Sequence, residues 1–115
     1  MAPALDIEPQ WIKEARGGRI NGDLRLQSRG SETRVVWGFY VRDIARDGYC
    51  VFAQVVVKIS FANDDEIRGP NACGVGTLIE WEGASGWHER VTGAQVNLCR
   101  DVPRAPDHCT EVWPG

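Results

Sequence analysis

Residues 34–61 read RVVWGFYVRDIARDGYCVFAQVVVKISF, and this stretch decides the predicted fold. Strict alternation of β-branched and aromatic residues predicts two half-buried strands, not a helix, one on each side of the Arg46-Asp47-Gly48 break. Taken in steps of two, the apolar residues of each half fall on one face: Val35, Trp37, Phe39, Val41 in the first, and Val51, Ala53, Val55, Val57, Ile59, Phe61 in the second.

The two strands are predicted to form a hairpin. A two-residue turn would set Phe39 opposite Val56 and mix the faces, whereas a loop with one more residue sets Phe39 opposite Val55. Because a one-residue slip moves every side chain to the other face, the apolar stripes favour the odd-length loop. We predict a type I turn there, with Gly48 in the left-handed conformation as a G1 bulge.

Length and composition limit the remaining possibilities. A chain of 115 residues with 43% hydrophobic and 25% charged residues fits one globular domain with a single core. The net charge of −3 argues against a nucleic-acid or anionic-membrane surface. No apolar run approaches the roughly 18 residues that a transmembrane helix needs. We therefore predict neither nucleic acid nor membrane as a partner.

Four cysteines in a short chain favour a disulfide framework in an oxidising compartment. Residues 1–6 show no charged and apolar leader, so we expect a mature secreted chain whose leader has been removed. A cytosolic protein with reduced or metal-bound thiols is the alternative, but no Cys-x-x-Cys pair supports a zinc site.

Four cysteines allow three pairings. Cys99 and Cys109 flank a short, proline-bearing return between two adjacent strands, while Cys50 begins the long strand and Cys73 ends the loop that leaves it. We predict the bridges Cys50–Cys73 and Cys99–Cys109, each contributing roughly 3 kcal/mol in the loop-entropy account.

About seven short strands, separated by turn signals at roughly 8–12-residue spacing, predict an all-β, immunoglobulin-like β-sandwich over residues 19–115. Residues 1–18 contain two prolines and few large apolar groups, and we predict an N-terminal arm. The arm is either a frayed terminus or a segment that orders on a partner through Ile7, Trp11 and Ile12.

The chain contains few residues in arrangements that commonly serve catalysis, and we predict no catalytic residue, metal or cofactor. Ser85 and His88 lie close in sequence, but glycine-rich turns commonly carry serine. Asp64-Asp65-Glu66 lacks the spacing of a calcium loop and is predicted to be a solvated loop. Two same-face carboxylates, Glu80 and Glu82, could serve glycoside hydrolysis, but they more often mark the solvent side of an edge strand.

Five tryptophans are many for 115 residues. Trp37 and Trp81 alternate with polar or small neighbours and are predicted to lie in the core. Trp11 and Trp87 stand in less regular contexts, where aromatic residues suit contacts with proteins or sugars. We therefore add Trp87 to the predicted partner-binding residues of the arm.

The run Val41-Arg42-Asp43-Ile44-Ala45-Arg46-Asp47-Gly48-Tyr49-Cys50-Val51, then Cys73-Gly74, Leu98-Cys99-Arg100-Asp101 and Asp107-His108-Cys109, resembles small secreted β-sandwich proteins of actinobacteria. The resemblance covers roughly residues 34–113. One such group looks like the adaptor subunit of umbrella-shaped toxin particles, which joins a lectin subunit to a scaffold chain. That likeness implies an arm inserting into one partner and a sheet surface or edge receiving another.

Together these features predict a secreted, non-catalytic protein-binding module, an adaptor that links subunits of a secreted toxin complex through edge-strand pairing or an apolar anchor. The alternative is a secreted hydrolase inhibitor that presents the loop from Arg68 to Gly74, braced by the disulfide at Cys73.

Overall fold

The computed structural model describes residues 11–114, and this part of the chain is all-β, with no helix. Ile7 and the other residues before Trp11 lie outside the described residues. Nine strands follow one another: β1 Trp11–Ala15, β2 Gly18–Arg29, β3 Glu32–Asp43, β4 Cys50–Ile59, β5 Asp65–Arg68, β6 Leu78–Ala84, β7 His88–Glu89, β8 Val91–Asp101 and β9 His108–Trp113.

Two antiparallel sheets form a sandwich, which confirms the predicted fold class. The first sheet has the order β1-β2-β3-β6, and β7 also pairs with β3; the second has the order β5-β4-β8-β9. The two strands beyond the predicted seven are β1, in the segment predicted to be an arm, and the four-residue β5, in a segment predicted to be a loop. Asp65 and Glu66, predicted to lie in a solvated loop, belong to β5, where they pair with Val57 and Val56.

The predicted hairpin of β3 and β4 is wrong. β3 pairs with β2, β6 and β7, whereas β4 pairs with β5 and β8, so the two strands lie in different sheets. Their apolar stripes meet across the sandwich instead of side by side. Gly48 does have a positive φ of 77°, as predicted, but within a connection that crosses from one sheet to the other.

Alternation correctly identified most of the core. Trp37 is only 4% exposed, and the partly buried Trp81 packs on it with ring centroids 5.0 Å apart, which confirms the core prediction for both. The buried apolar residues from both sheets form one cluster: Ile20, Leu24, Val35, Trp37, Phe39, Val41, Val51, Ala53, Val55, Val57, Ala72, Val96, Leu98 and Val112. Burial of this cluster is the main source of stability.

Part of the segment predicted as an arm belongs to the first sheet. Residues 11–15 form β1, which pairs with β2 from Trp11↔Gly22 to Ala15↔Gly18. Gly18 is itself buried, and its α-carbon faces the side chain of Val51 in the other sheet. Backbone pairing with β2, which needs no apolar run, places this segment in the sheet.

Both predicted disulfides are present, Cys50–Cys73 and Cys99–Cys109. The first holds the segment after β5 against the start of β4, where Val51 and Ala72 also exchange two backbone hydrogen bonds of 2.9 and 2.7 Å. The second joins directly opposed residues of β8 and β9. Two disulfides in a small β protein suggest an oxidising, extracellular environment.

Candidate functional site

The outward surface of the first sheet is an open face centred on Tyr40, and we call it the Tyr40 face. The registers place Ile12, Asn21, Tyr40 and Glu80 side by side across β1, β2, β3 and β6. The next row toward the end of β3 holds Glu14, Arg19, Arg42 and Leu78, and the row on the other side holds Asp23, Gly38 and Glu82.

Large apolar side chains on this face are exposed to solvent. Ile12 is 66% exposed, Leu78 47% and Tyr40 41%. A shallow pocket lies between them, and Arg19, Asn21 and Arg42 complete its lining. Isolated exposed apolar residues are ordinary on a protein surface, but neighbouring ones rimmed by charge mark interaction sites.

A second depression adjoins Tyr40 along β3. Gly38 has no side chain, so its position forms a low point between Asp23 on β2 and Glu82 on β6. Val36, Arg25 and Glu80 line the same cavity of about 420 Å³. Charges of both signs therefore border Tyr40: Arg42 and the Arg19–Glu14 ion pair lie on one side, and Asp23, Glu80 and Glu82 lie with Arg25 around the other.

The outer face of the second sheet is closed by contrast. Phe52 points outward from β4 yet is only 2% exposed, because the Arg68 guanidinium lies 3.5 Å from its ring centroid. Arg68 is held there by Asn71 at 2.7 Å and by ion pairs with Asp101 and Asp107.

Amide side chains continue this cover along the second sheet. Gln95 donates to Asn97 at 2.7 Å, and Asn97 donates to Gln54 at 2.9 Å. Polar groups already bonded to one another gain less from a partner than exposed apolar ones do. The two outer faces therefore differ chemically. The first exposes apolar side chains, whose removal from water favours association, and the second carries amide groups that are already hydrogen-bonded to one another.

The segment from Arg68 to Gly74 continues along the edge of β4 after β5. Gly69 donates its N–H to the Ala53 carbonyl at 2.8 Å, and Ala72 is fully buried. The Arg68 side chain is occupied by its contacts with Phe52 and three polar neighbours. A protease-directed loop has to project its side chains, whereas the Arg68 side chain, although 44% exposed, stacks on Phe52 and pairs with Asp101 and Asp107.

The predicted partner-binding residues are not brought together. Ile12 lies on the Tyr40 face, and Trp11 is the first residue of β1, while Ile7 lies outside the described residues. Trp87 lies at the far end of the first sheet, half-buried between the guanidinium groups of Arg29 at 4.2 Å and Arg34 at 4.7 Å from its ring. Its role in partner binding stays a prediction.

The residues weighed for catalysis have other contacts. Ser85 accepts the Val35 N–H at 2.9 Å and donates to the Gly86 carbonyl at 2.8 Å, so its hydroxyl holds the end of β6. His88 lies 2.9 Å from Asp65, a contact that connects β7 of the first sheet to β5 of the second. Glu80 and Glu82 lie on the solvent side of β6, an edge strand among the described residues.

Sequence reasoning missed Tyr40, Leu78 and Phe61. Tyr40 and Leu78 each lie next to an inward-facing residue of their strand, so their side chains point to the solvent side. A large apolar or aromatic residue at such an outward position is the sequence signal that could have identified them. Phe61 was assigned to the apolar stripe of β4, which is wrong: β4 ends at Ile59, and Phe61 is 93% exposed.

No family model, curated protein or solved structure matches this chain. Within residues 11–114 no group of three or more metal-ligating side chains converges. The same residues include no helix of the length and apolarity that spanning a membrane requires.

Proposed function

We propose that this protein is a secreted, non-catalytic protein-binding module that acts as an adaptor and receives a partner protein on the Tyr40 face. The single observation that carries the proposal is the contrast between the two sheets. The first sheet exposes Ile12, Tyr40 and Leu78 together, whereas the second covers its outward Phe52 with Arg68.

The chemistry of the face specifies the partner. An apolar patch must meet the tyrosine ring and its aliphatic neighbours, because removal of that surface from water drives association. Acidic side chains of the partner would face Arg42, and basic ones would face the carboxylates of Asp23, Glu80 and Glu82. Complementary charge at the rim fixes orientation and speeds encounter more than it adds affinity.

Tyr40→Ala tests this proposal. The full chain is immobilised and exposed to the culture medium of the producing organism, and the stoichiometric partner that it retains is purified and titrated against it. We expect Tyr40→Ala to weaken binding by about 30-fold, since a central aromatic anchor contributes about 2 kcal/mol or more. Arg42→Glu should mainly slow association and change its salt dependence.

Tyr49→Ala is the matched control, because Tyr49 is the chain's other tyrosine and lies in the connection between β3 and β4. Both variants are first shown to be folded by circular dichroism. Equal affinity of Tyr40→Ala and the unaltered chain would refute the proposal. A homodimer that Tyr40→Ala dissociates would also refute it, since the face would then receive a second copy.

A further inference from the structure

We infer that Phe61 is a preorganised anchor for a second partner protein, at a site separate from the Tyr40 face. Phe61 lies in the turn between β4 and β5 and is 93% exposed, the most exposed large apolar side chain among residues 12–114. Its φ of 61° lies in the left-handed region, where an aromatic residue is a genuine outlier and glycine or asparagine is normal.

The chain around Phe61 keeps it in this position. Ser60 donates its N–H to the Arg90 carbonyl at 2.9 Å, and Asp64 accepts the Ile59 N–H at 3.1 Å. Asp64 also forms an ion pair with Lys58 at 3.3 Å. Arg90, just before β8, has a φ of 62° as well. Strained residues persist where the surroundings over-determine them, and such sites commonly serve binding.

A ring displayed by a braced turn suits insertion into a pocket. Phenylalanine offers a large apolar surface with little side-chain freedom to lose, and a fixed turn lowers the ordering cost of binding. The Arg90 guanidinium lies 5.9 Å from the Phe61 ring centroid. The complementary partner is therefore a protein with an apolar pocket whose rim offers a carboxylate to Arg90 and a basic group to the acidic run Asp64–Glu66.

The site is far enough from the Tyr40 face for two partners to bind at once. Thr33 and Glu32 at the start of β3 pair with His88 and Glu89, and Arg90 follows directly. Tyr40 lies seven residues further along β3 than Thr33, about 24 Å at 3.4 Å per residue. Occupation of both sites would bridge two proteins.

Photo-cross-linking tests this inference. One variant carries p-benzoylphenylalanine at position 61 and a second carries it at position 40, and each is irradiated in the culture medium of the producing organism to identify the protein that contacts that position. We expect position 61 to cross-link into an apolar pocket rimmed by Asp or Glu, on a protein other than the one reached from position 40. Cross-links from position 61 only to copies of this chain, to the same protein surface as position 40, or to nothing would overturn the inference.

Phe61→Gly separates the anchor from any structural role. Because glycine relieves the left-handed strain, we expect the melting temperature of the Phe61→Gly variant to rise by a few degrees. The affinity of this variant for the protein cross-linked from position 61 should fall by about tenfold or more. Ala62→Gly, one residue on, should change affinity by less than about twofold and should not raise the melting temperature. A lower melting temperature with unchanged affinity for Phe61→Gly would contradict the inference.

Two further arms keep this result separate from the proposed function. Loss of binding to the partner of the Tyr40 face in Tyr40→Ala, with unchanged affinity of Phe61→Gly for the protein cross-linked from position 61, would overturn the Phe61 inference and leave the Tyr40 face intact. Binding of the chain to phosphatidylcholine–phosphatidylglycerol vesicles that Phe61→Gly abolishes would assign the turn to a membrane surface, and it too would overturn the inference.

Discussion

Asp64 stabilises the turn that carries Phe61 with both oxygens of its carboxylate. One oxygen accepts the Ile59 N–H at 3.1 Å, and the other pairs with Lys58 at 3.3 Å. The hydrogen bond from Ile59, followed by the contact with Lys58, lowers the pKa of the Asp64 carboxyl below its ordinary value. The charged form is therefore the one that the fold favours.

This shift predicts the sign of an acid dependence. A carboxyl whose pKa is lower in the folded than in the unfolded state contributes stability above its unfolded pKa of about 3.9, and that contribution is lost as the pH falls through the folded pKa. We expect the Asp64 carboxyl carbon, followed by NMR, to titrate below the ordinary aspartate range. In Asp64→Asn the acid-side loss of stability should be smaller than in the unaltered chain.

An Asp64 carboxyl that titrates at or above the ordinary value would contradict the turn geometry. The exposed ion pair with Lys58 is screened by salt, so a titration at low ionic strength shows its part of the shift best.

Phe61 also marks the limit of prediction at the level of single residues. Alternation places it in the buried stripe of β4, because positions 51 to 61 are apolar at every second residue. Alternation cannot detect where pairing stops, and β5 begins only four residues later, at Asp65. The chain therefore turns between Ile59 and Asp65, and this turn keeps the Phe61 side chain out of the core. Its exposure depends on a β4–β5 pairing that the local sequence does not encode.

At the level of the strand, the β3–β6 pair contains two glycines that differ in whether the structure has room for an added methyl group. A Cβ at Gly83 on β6 would lie 2.7 Å from the Trp37 ring, in the packed core, whereas a Cβ at Gly38 on β3 would lie 3.8 Å from Glu82. We expect Gly83→Ala to destabilise the protein by about 1–3 kcal/mol through overpacking.

Gly38→Ala is the matched control on the neighbouring strand, because it makes the same chemical change into open space. It should be neutral or stabilising by up to about 1 kcal/mol, since alanine restricts the unfolded chain. Urea unfolding of both variants measures the free energies. Equal destabilisation of the two would show that Gly83 does not face Trp37 as described.

The strands themselves were predictable, but their partners were not. Alternation in β3 and β4 identified the buried apolar residues of both strands. The predicted hairpin is wrong because two strands with the same apolar alternation can bury their apolar faces equally well as neighbours in one sheet or as facing strands of two sheets. The long connection through Gly48 permits the crossing, and only the competing pairs β2–β3 and β4–β8 decide it.

β4 shows a second limit of pattern reading. Its sequence is apolar on both sides, with Phe52 and Val56 on the face away from the main core. A single stripe was predicted, yet Phe52 and Val56 are also buried, at 2% and 4% exposure. The cation that covers Phe52 comes from Arg68, sixteen residues along the chain. Cover of this kind depends on tertiary contacts and leaves no local signal.

For the whole molecule, the two disulfides and the sandwich follow from cysteine number and strand spacing, but the binding surfaces do not. The predicted anchors lay in the N-terminal segment, at Trp11 and Ile12, and at Trp87. The exposed large apolar side chains lie on the Tyr40 face, at Phe61 and at Val75, and the predicted anchor Ile12 is among them. A surface assembled from four strands becomes visible only when their registers are known.

The molecule therefore has one outer face that exposes large apolar side chains and one on which Arg68 covers the outward aromatic residue. This asymmetry, more than any single residue, is the central claim. It also separates binding by the Tyr40 face from inhibition by the segment 68–74, which lies on the covered side with Arg68 turned onto Phe52.

Carbene footprinting of the chain, free and bound to its purified partner, tests that claim most directly. Labelling of Ile12, Tyr40 and Leu78 should fall several-fold on binding, while labelling of Gln54 and Gln95 on the second sheet should stay unchanged. Unchanged labelling on the Tyr40 face, or protection confined to the second sheet, would contradict the account.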